Sequence, residues 1–262
     1  MGIASDIAED WNAAYAALAW QVEAGADEAM SDAPVNRYEL TVEAPKSLAA
    51  KATSAATAPL ASMDDPIAAA LAAATQAQTL DALRGAISAF AFCDLKKGAR
   101  NTVFADGNPA ARVLILGEAP GADEDREGRP FVGRAGQLLD QMFAAIGLSR
   151  QSPDPATALY ITNVLPWRPP GNRDPEPTEI AMMRPFVERH IALVDPMVVV
   201  VMGNTSLQAL TGTKGILRAR GTWTEALGKP LLPMTHPAYL LRTPAAKREA
   251  WADLLSLQER LR

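Results

Sequence analysis

From Leu80 onward the chain repeats one pattern: a short run of aliphatic and β-branched residues, then a longer stretch with apolar residues at three- and four-residue spacing. This alternation constrains the fold more than any other feature, because strands joined by helices of that length pair in parallel and bury both faces of their sheet. Strands are expected at Arg112–Leu116, Ala158–Thr162, Met197–Met202 and Pro230–Met234, and helices at Ala135–Ile146, Pro177–Val194, Thr205–Leu210 and Ala245–Leu261. The predicted class is α/β, with three layers (α/β/α) around a central four-stranded, mainly parallel sheet. In such a sheet the loops at the carboxyl ends of the strands form the ligand crevice, so the segments after the strands are where chemistry is sought.

The first part of the chain reads differently. Ser5 to Ala24 places Ile7, Trp11, Tyr15, Leu18 and Val22 on one helical face behind a Ser5 cap. After Asp32 the composition shifts to Ala, Pro, Ser and Thr, too poor in large apolar residues to fold alone. The expected organisation is an N-terminal helical extension over 1–31, a weakly ordered linker over 32–78 and a catalytic domain over 79–262. The net charge of −5 is carried by residues 1–78, and the remainder has a small basic excess that permits a nucleic-acid partner without requiring one. No apolar run reaches membrane-spanning length and the start is acidic, so a cytoplasmic, monomeric protein with no membrane partner is expected. Cys93 is the one cysteine, and His190 and His236 are the two histidines, so no metal site is expected.

Three segments after strands are rich in Gly, Pro and polar residues. The first runs Gly117-Glu118-Ala119-Pro120-Gly121, continues through Asp123, Glu124 and Asp125, and ends Gly128-Arg129-Pro130-Phe131-Val132-Gly133. Each of its acids, taken singly, reads first as part of a solvated strand-to-helix turn, but Phe131 is an aromatic on which a flat ligand can stack. The second begins at Asn163 and continues Val164-Leu165-Pro166-Trp167-Arg168-Pro169-Pro170-Gly171-Asn172-Arg173. The Asn163 amide offers a donor and an acceptor to a polar heterocycle, or it forms an Asx turn; both readings stand. The third is Thr235-His236-Pro237-Ala238-Tyr239-Leu240-Leu241-Arg242, where Pro237 suits the first turn of a helix and free N–H groups lie beside an imidazole. Leu240 and Leu241 read either as a wedge with Arg242 on phosphate or as core residues of a short helix.

In this order and spacing, GEAPG…GRPFVG, N-x4-RPPGNR and HPAYLLR resemble the family 4 uracil-DNA glycosylases, over Phe90 to about Leu255. The resemblance implies a uracil-DNA glycosylase-like fold and a base excision repair enzyme that flips uracil out of DNA and hydrolyses its N-glycosidic bond. Glu118, Ala119, Pro120 and Gly121 would then line the uracil pocket, Phe131 would stack on the base, Asn163 would bond its Watson–Crick edge and His236 would face O2. Glu118 and Glu124 both remain candidates for orienting water or stabilising the sugar cation, and with His236 they form the expected catalytic set. Arg168, Pro169 and Arg173, with Tyr239, Leu240, Leu241 and Arg242, are expected at the DNA. No lysine lies in the motifs to form a Schiff base, so the expected enzyme is monofunctional and leaves an abasic site. The alternative is a protein that binds uracil or abasic DNA without turnover, or by covalent trapping.

One departure concerns the four-iron, four-sulfur cluster that family 4 enzymes carry on four cysteines. Cys93 keeps the second position, while Phe90, Trp167 and Met183 stand at the first, third and fourth. The expectation is therefore of a protein without a cofactor, its cluster cavity filled by bulky side chains.

Overall fold

The computed structural model describes residues 65–262. The expected N-terminal helix and the linker as far as residue 64 lie outside the described residues. Within them, four apolar runs form a parallel sheet: β2 (Val113–Gly117), β3 (Leu159–Asn163), β4 (Val198–Met202) and β6 (Lys229–Met234). A short antiparallel strand extends each edge, β1 (Ala105–Gly107) beside β3 and β5 (Thr224–Ala226) beside β6. The spatial order is β1-β3-β2-β4-β6-β5. The four expected strands are thus the parallel centre of a six-stranded mixed sheet.

Alternation of side chains along these strands builds two cores. Leu114, Leu116, Tyr160, Val199, Val201 and Leu231 face one side. There they meet α1 (Pro66–Gln76), α2 (Leu80–Ala89), α6 (Pro177–Val194) and α7 (Asn204–Thr211), while the short α3 (Leu95–Gly98) adds Leu95. Val113, Ile115, Leu159, Ile161, Val198, Val200 and Leu232 face the other side, covered by Leu139 and Phe143 of α5 (Arg134–Ala144) and by Leu254 and Leu257 of α10 (Lys247–Leu261). The result is the three-layer arrangement expected. The remaining helices are short: α4 (Ala122–Glu127), α8 (Ile216–Ala219) and α9 (Pro237–Arg242).

One boundary differs from expectation. Residues 66–76, read as part of the linker, form α1. Asp65 caps it by accepting from the Ile67 N–H (2.9 Å), Pro66 takes a first-turn position, and Ala70 and Ala74 are buried. Alanine one turn apart lets α1 approach α6 closely, and the Arg189 guanidinium of α6 donates to the Ala77 carbonyl at 2.7 Å. The alanine-rich composition that suggested a linker is here a packing surface.

Strand register positions the site. Gly117 pairs with Asn163, Leu116 with Val201 and Met202 with Met234, so β2, β3, β4 and β6 end nearly level. The next residues along the chain, Glu118, Val164, Gly203 and Thr235, therefore emerge together along the edge formed by the strands' carboxyl ends.

Candidate active site

A cleft of about 690 Å³ opens at this edge. It is lined by Glu118, Ala119, Pro120, Gly121 and Glu124 of the first segment, by Phe131, by Asn163, and by His236, Tyr239 and Arg242 of the third. All three expected catalytic residues and all five expected substrate-binding residues meet there.

Phe131 is held in an uncommon backbone conformation, φ +54°, disfavoured for a side chain of its size. Glycines make room on both sides. A Cβ on Gly136 would run into the Phe131 carbonyl, and one on Gly117 would lie 2.5 Å from the Phe131 ring and collide with the Asn163 amide oxygen. Arg150, its side chain 8% exposed, fixes the loop by donating to the Pro130 carbonyl (2.9 Å) and the Phe131 carbonyl (3.0 Å). Asp140 (2.8 Å) and Asp106 (3.1 Å) complete its partners. The ring so placed lies 5.4 Å from the His236 imidazole, centroid to centroid, and within 27° of parallel.

His236 caps α9. Its Nδ1 accepts the Ala238 N–H at 3.1 Å, which leaves the proton of the neutral ring on Nε2. Burial, reinforced by Arg242 and opposed by Glu124, lowers its pKa to about 4. Near neutral pH the ring is an uncharged hydrogen-bond donor through Nε2.

The two candidate acids separate on geometry. Glu124 Oε1 accepts the N–H groups of Val132 and Gly133, both at 2.9 Å, and Oε2 accepts the Gly121 N–H at 3.0 Å. That carboxylate ties the two halves of the first segment together. Glu118 is bonded at one oxygen, Oε2, to the Thr205 hydroxyl (2.7 Å). Burial pushes its carboxyl above the usual carboxylate range; the Thr205 O–H opposes the shift and Asp174 adds to it.

Asn163 and Thr235 carry the most informative signal. Asn163 is 8% and Thr235 1% exposed, both line the cleft, and Asn163 Nδ2 and Thr235 Oγ1 have no hydrogen-bond partner among the described residues. Buried polar atoms are nearly always paired, so two orphans in one cleft are groups left open to a ligand or to water. Of the two readings of Asn163, the ligand-facing amide is the one this geometry favours.

The expected DNA-contacting residues divide. Arg242 is exposed, Tyr239, Leu241 and Arg168 are half-buried, and Pro169 is buried in the cleft wall. Leu240 is fully buried and is a core residue of α9, not an available wedge. The Arg173 guanidinium is engaged with the Glu179 carboxylate at 2.6 and 3.0 Å, which holds the loop before α6. Sequence reasoning missed Thr205, Asn204, Lys214 and Leu217, all of which line the cleft. The signal was available for the first two: Gly203-Asn204-Thr205 follows β4 as the other segments follow their strands, and Gly203, at φ +95°, turns the chain beside His236.

Residues 104–255 match the family model for the uracil DNA glycosylase superfamily. The chain belongs to that superfamily. It is 40% identical over 153 residues to the type-4 uracil-DNA glycosylase of Thermotoga maritima, covering 57% of this chain and 77% of the relative. With the type-4 uracil-DNA glycosylase of Archaeoglobus fulgidus it shares 37% identity over 191 residues, 70% of this chain and 93% of the relative. A type-5 uracil-DNA glycosylase of Thermus thermophilus is 32% identical over 134 residues, covering 48% of this chain and 61% of the relative.

These relatives overturn the expectation of no cofactor, because they are type-4 enzymes, the family to which the motifs' resemblance attaches an iron–sulfur cluster. The residues at the cluster positions are a separate matter. Phe90, Cys93, Trp167 and Met183 are all buried in one core cluster, where Phe90 packs edge-on against Phe186 and the Trp167 indole donates to Thr102 at 3.1 Å. One thiol and three side chains without thiolate chemistry do not fit a four-cysteine cluster.

Proposed function

We propose that the protein is a monofunctional uracil-DNA glycosylase that extrudes uracil from DNA and leaves an abasic site with the strand uncut. The class, a hydrolase of the N-glycosidic bond, follows from the superfamily; uracil as the base rests above all on the orphaned amide of Asn163 beside Phe131 and His236, and the uncut strand on the lack of a lysine in the three motifs. Uracil's O4 and N3–H match an amide's donor and acceptor, and its ring suits the face of Phe131.

Cleavage breaks the bond between C1′ and N1, and the electron pair leaves with the uracil as an anion spread over N1 and O2. The neutral Nε2–H of His236 stabilises that charge by hydrogen bonding, with no proton transfer needed. A water adds to the cationic C1′ and gives up its proton to the free oxygen of Glu118, whose raised pKa strengthens it as a base. Glu124 contributes by holding the loop that carries Phe131.

The test is a labelled uracil-containing oligonucleotide treated with protein and then with alkali. Strand breaks should appear only after alkali, and His236→Ala, Asn163→Ala and Glu118→Gln should each lower the single-turnover rate about 100-fold. Bound but intact DNA would favour a lesion-binding protein, and a covalent adduct would favour trapping; either overturns the proposal.

A further inference from the structure

A flipped base leaves a void in the stack, and proteins that hold DNA in that state commonly fill it with an apolar side chain backed by cations on the flanking phosphates. Leu240 cannot serve, because it is fully buried, and Leu241 is half-buried and does not line the cleft. The short helix α8 and the turn that leads into it offer a replacement. Leu217 is 57% exposed, the most exposed large apolar side chain among the described residues, and of those exposed residues it alone lines the cleft. Its neighbour Ile216 is buried, and the Asn204 side-chain oxygen accepts the N–H groups of Gly215 (3.1 Å) and Ile216 (2.9 Å). The leucine is thus presented on a fixed backbone, as a wedge requires.

The charges agree. Lys214 lies three residues before Leu217 and Arg218 one after it, and Arg242 stands on the same cleft. None of the three is in an ion pair among the described residues, whereas Arg150, Arg173 and Arg220 are each held by carboxylates. An apolar tip between free cations, beside a pocket with orphaned polar atoms, fits a duplex whose base has moved into that pocket.

We propose that Leu217 is the residue that enters the duplex and occupies the place vacated by the extruded base, with Lys214 and Arg218 contacting the flanking phosphates. The assignment rests on the glycosylase reading. It commits α8 and the turn before it, as well as the third motif, to DNA.

The experiment compares the full chain with Leu217→Ala and Leu217→Met on matched single-stranded and double-stranded uracil oligonucleotides under single-turnover conditions. A 2-aminopurine beside the uracil reports unstacking. A wedge matters where a paired stack must be opened, so Leu217→Ala should lose about tenfold or more on duplex, with a weaker 2-aminopurine signal, and stay within about twofold on single strands. Leu217→Met should retain duplex activity. Unchanged duplex activity in Leu217→Ala, or an equal loss on both substrates, would overturn the assignment. An unmodified chain inactive on both substrates would overturn the glycosylase reading itself, before any variant is compared.

Discussion

Thr205 donates its hydroxyl to Glu118 and is, among the described residues, the one side-chain donor bonded to that carboxylate. The bond stabilises the charged form against burial, so its removal raises the Glu118 pKa further and leaves less carboxylate at a given pH. On the mechanism proposed, Thr205→Val should therefore shift the acidic limb of the kcat/KM profile toward higher pH, and Thr205→Ser should restore it. An unmoved limb would show that the bond does not tune the base. His236 contributes no limb of its own near neutrality, since its imidazole stays neutral down to about 4. The motif residues were legible in the sequence because each follows a strand end in a Gly- or Pro-rich segment. The distinct bonding of Glu118 and Glu124 was not legible: two acids six positions apart look alike until one is seen to accept three backbone N–H groups and the other a single hydroxyl.

Among elements, the loop from Pro130 to Gly133 depends on a residue far along the chain. Arg150 joins that loop to Asp106 of β1 and Asp140 of α5, and it satisfies two loop carbonyls at once. Arg150→Met should cost about 3 kcal/mol in urea unfolding, because two carboxylates and two carbonyls lose a nearly buried partner. It should also raise KM more than it lowers kcat, since the stacking ring loses its support. A stability loss with unchanged KM would show that Phe131 keeps its place without the clamp. The central strands were readable as aliphatic runs, because strands covered on both faces need them. The edge strands β1 and β5 are three residues each and carry no such run; their pairing follows from the neighbour they meet, not from their own composition. Leu240 was undecidable from sequence for a similar reason. A helix of six residues is too short for periodicity to tell its buried face from its exposed one.

At the scale of the whole molecule, two neutral imidazoles couple folding to pH. Burial lowers the pKa of His190, which bonds the Tyr160 hydroxyl at 2.8 Å and stacks on Phe104, to about 3, and that of His236 to about 4, from 6.5 in each case. Between those values the unfolded chain takes up protons that the folded chain refuses, so stability is complete above 6.5 and declines as pH falls toward 4. The raised carboxyls of Glu118 and Asp253 act in the opposite direction and offset part of the decline. Thermal unfolding followed from pH 7.5 to pH 4.5 should show a falling Tm, with a shallower slope in His190→Gln; parallel slopes would remove His190 from the account.

The unpaired amide of Asn163 bears on the end of the reaction as much as its beginning. On the proposed reading, free uracil presents the same O4 and N3–H after the glycosidic bond has broken as before it. The group that draws the base in is therefore satisfied equally by the product, and the departing base must strip that hydrogen bond and leave the amide bare again. On that reading release of uracil carries a penalty built into the resting protein, and emptying the pocket, more than bond cleavage, is the expected slow step of turnover.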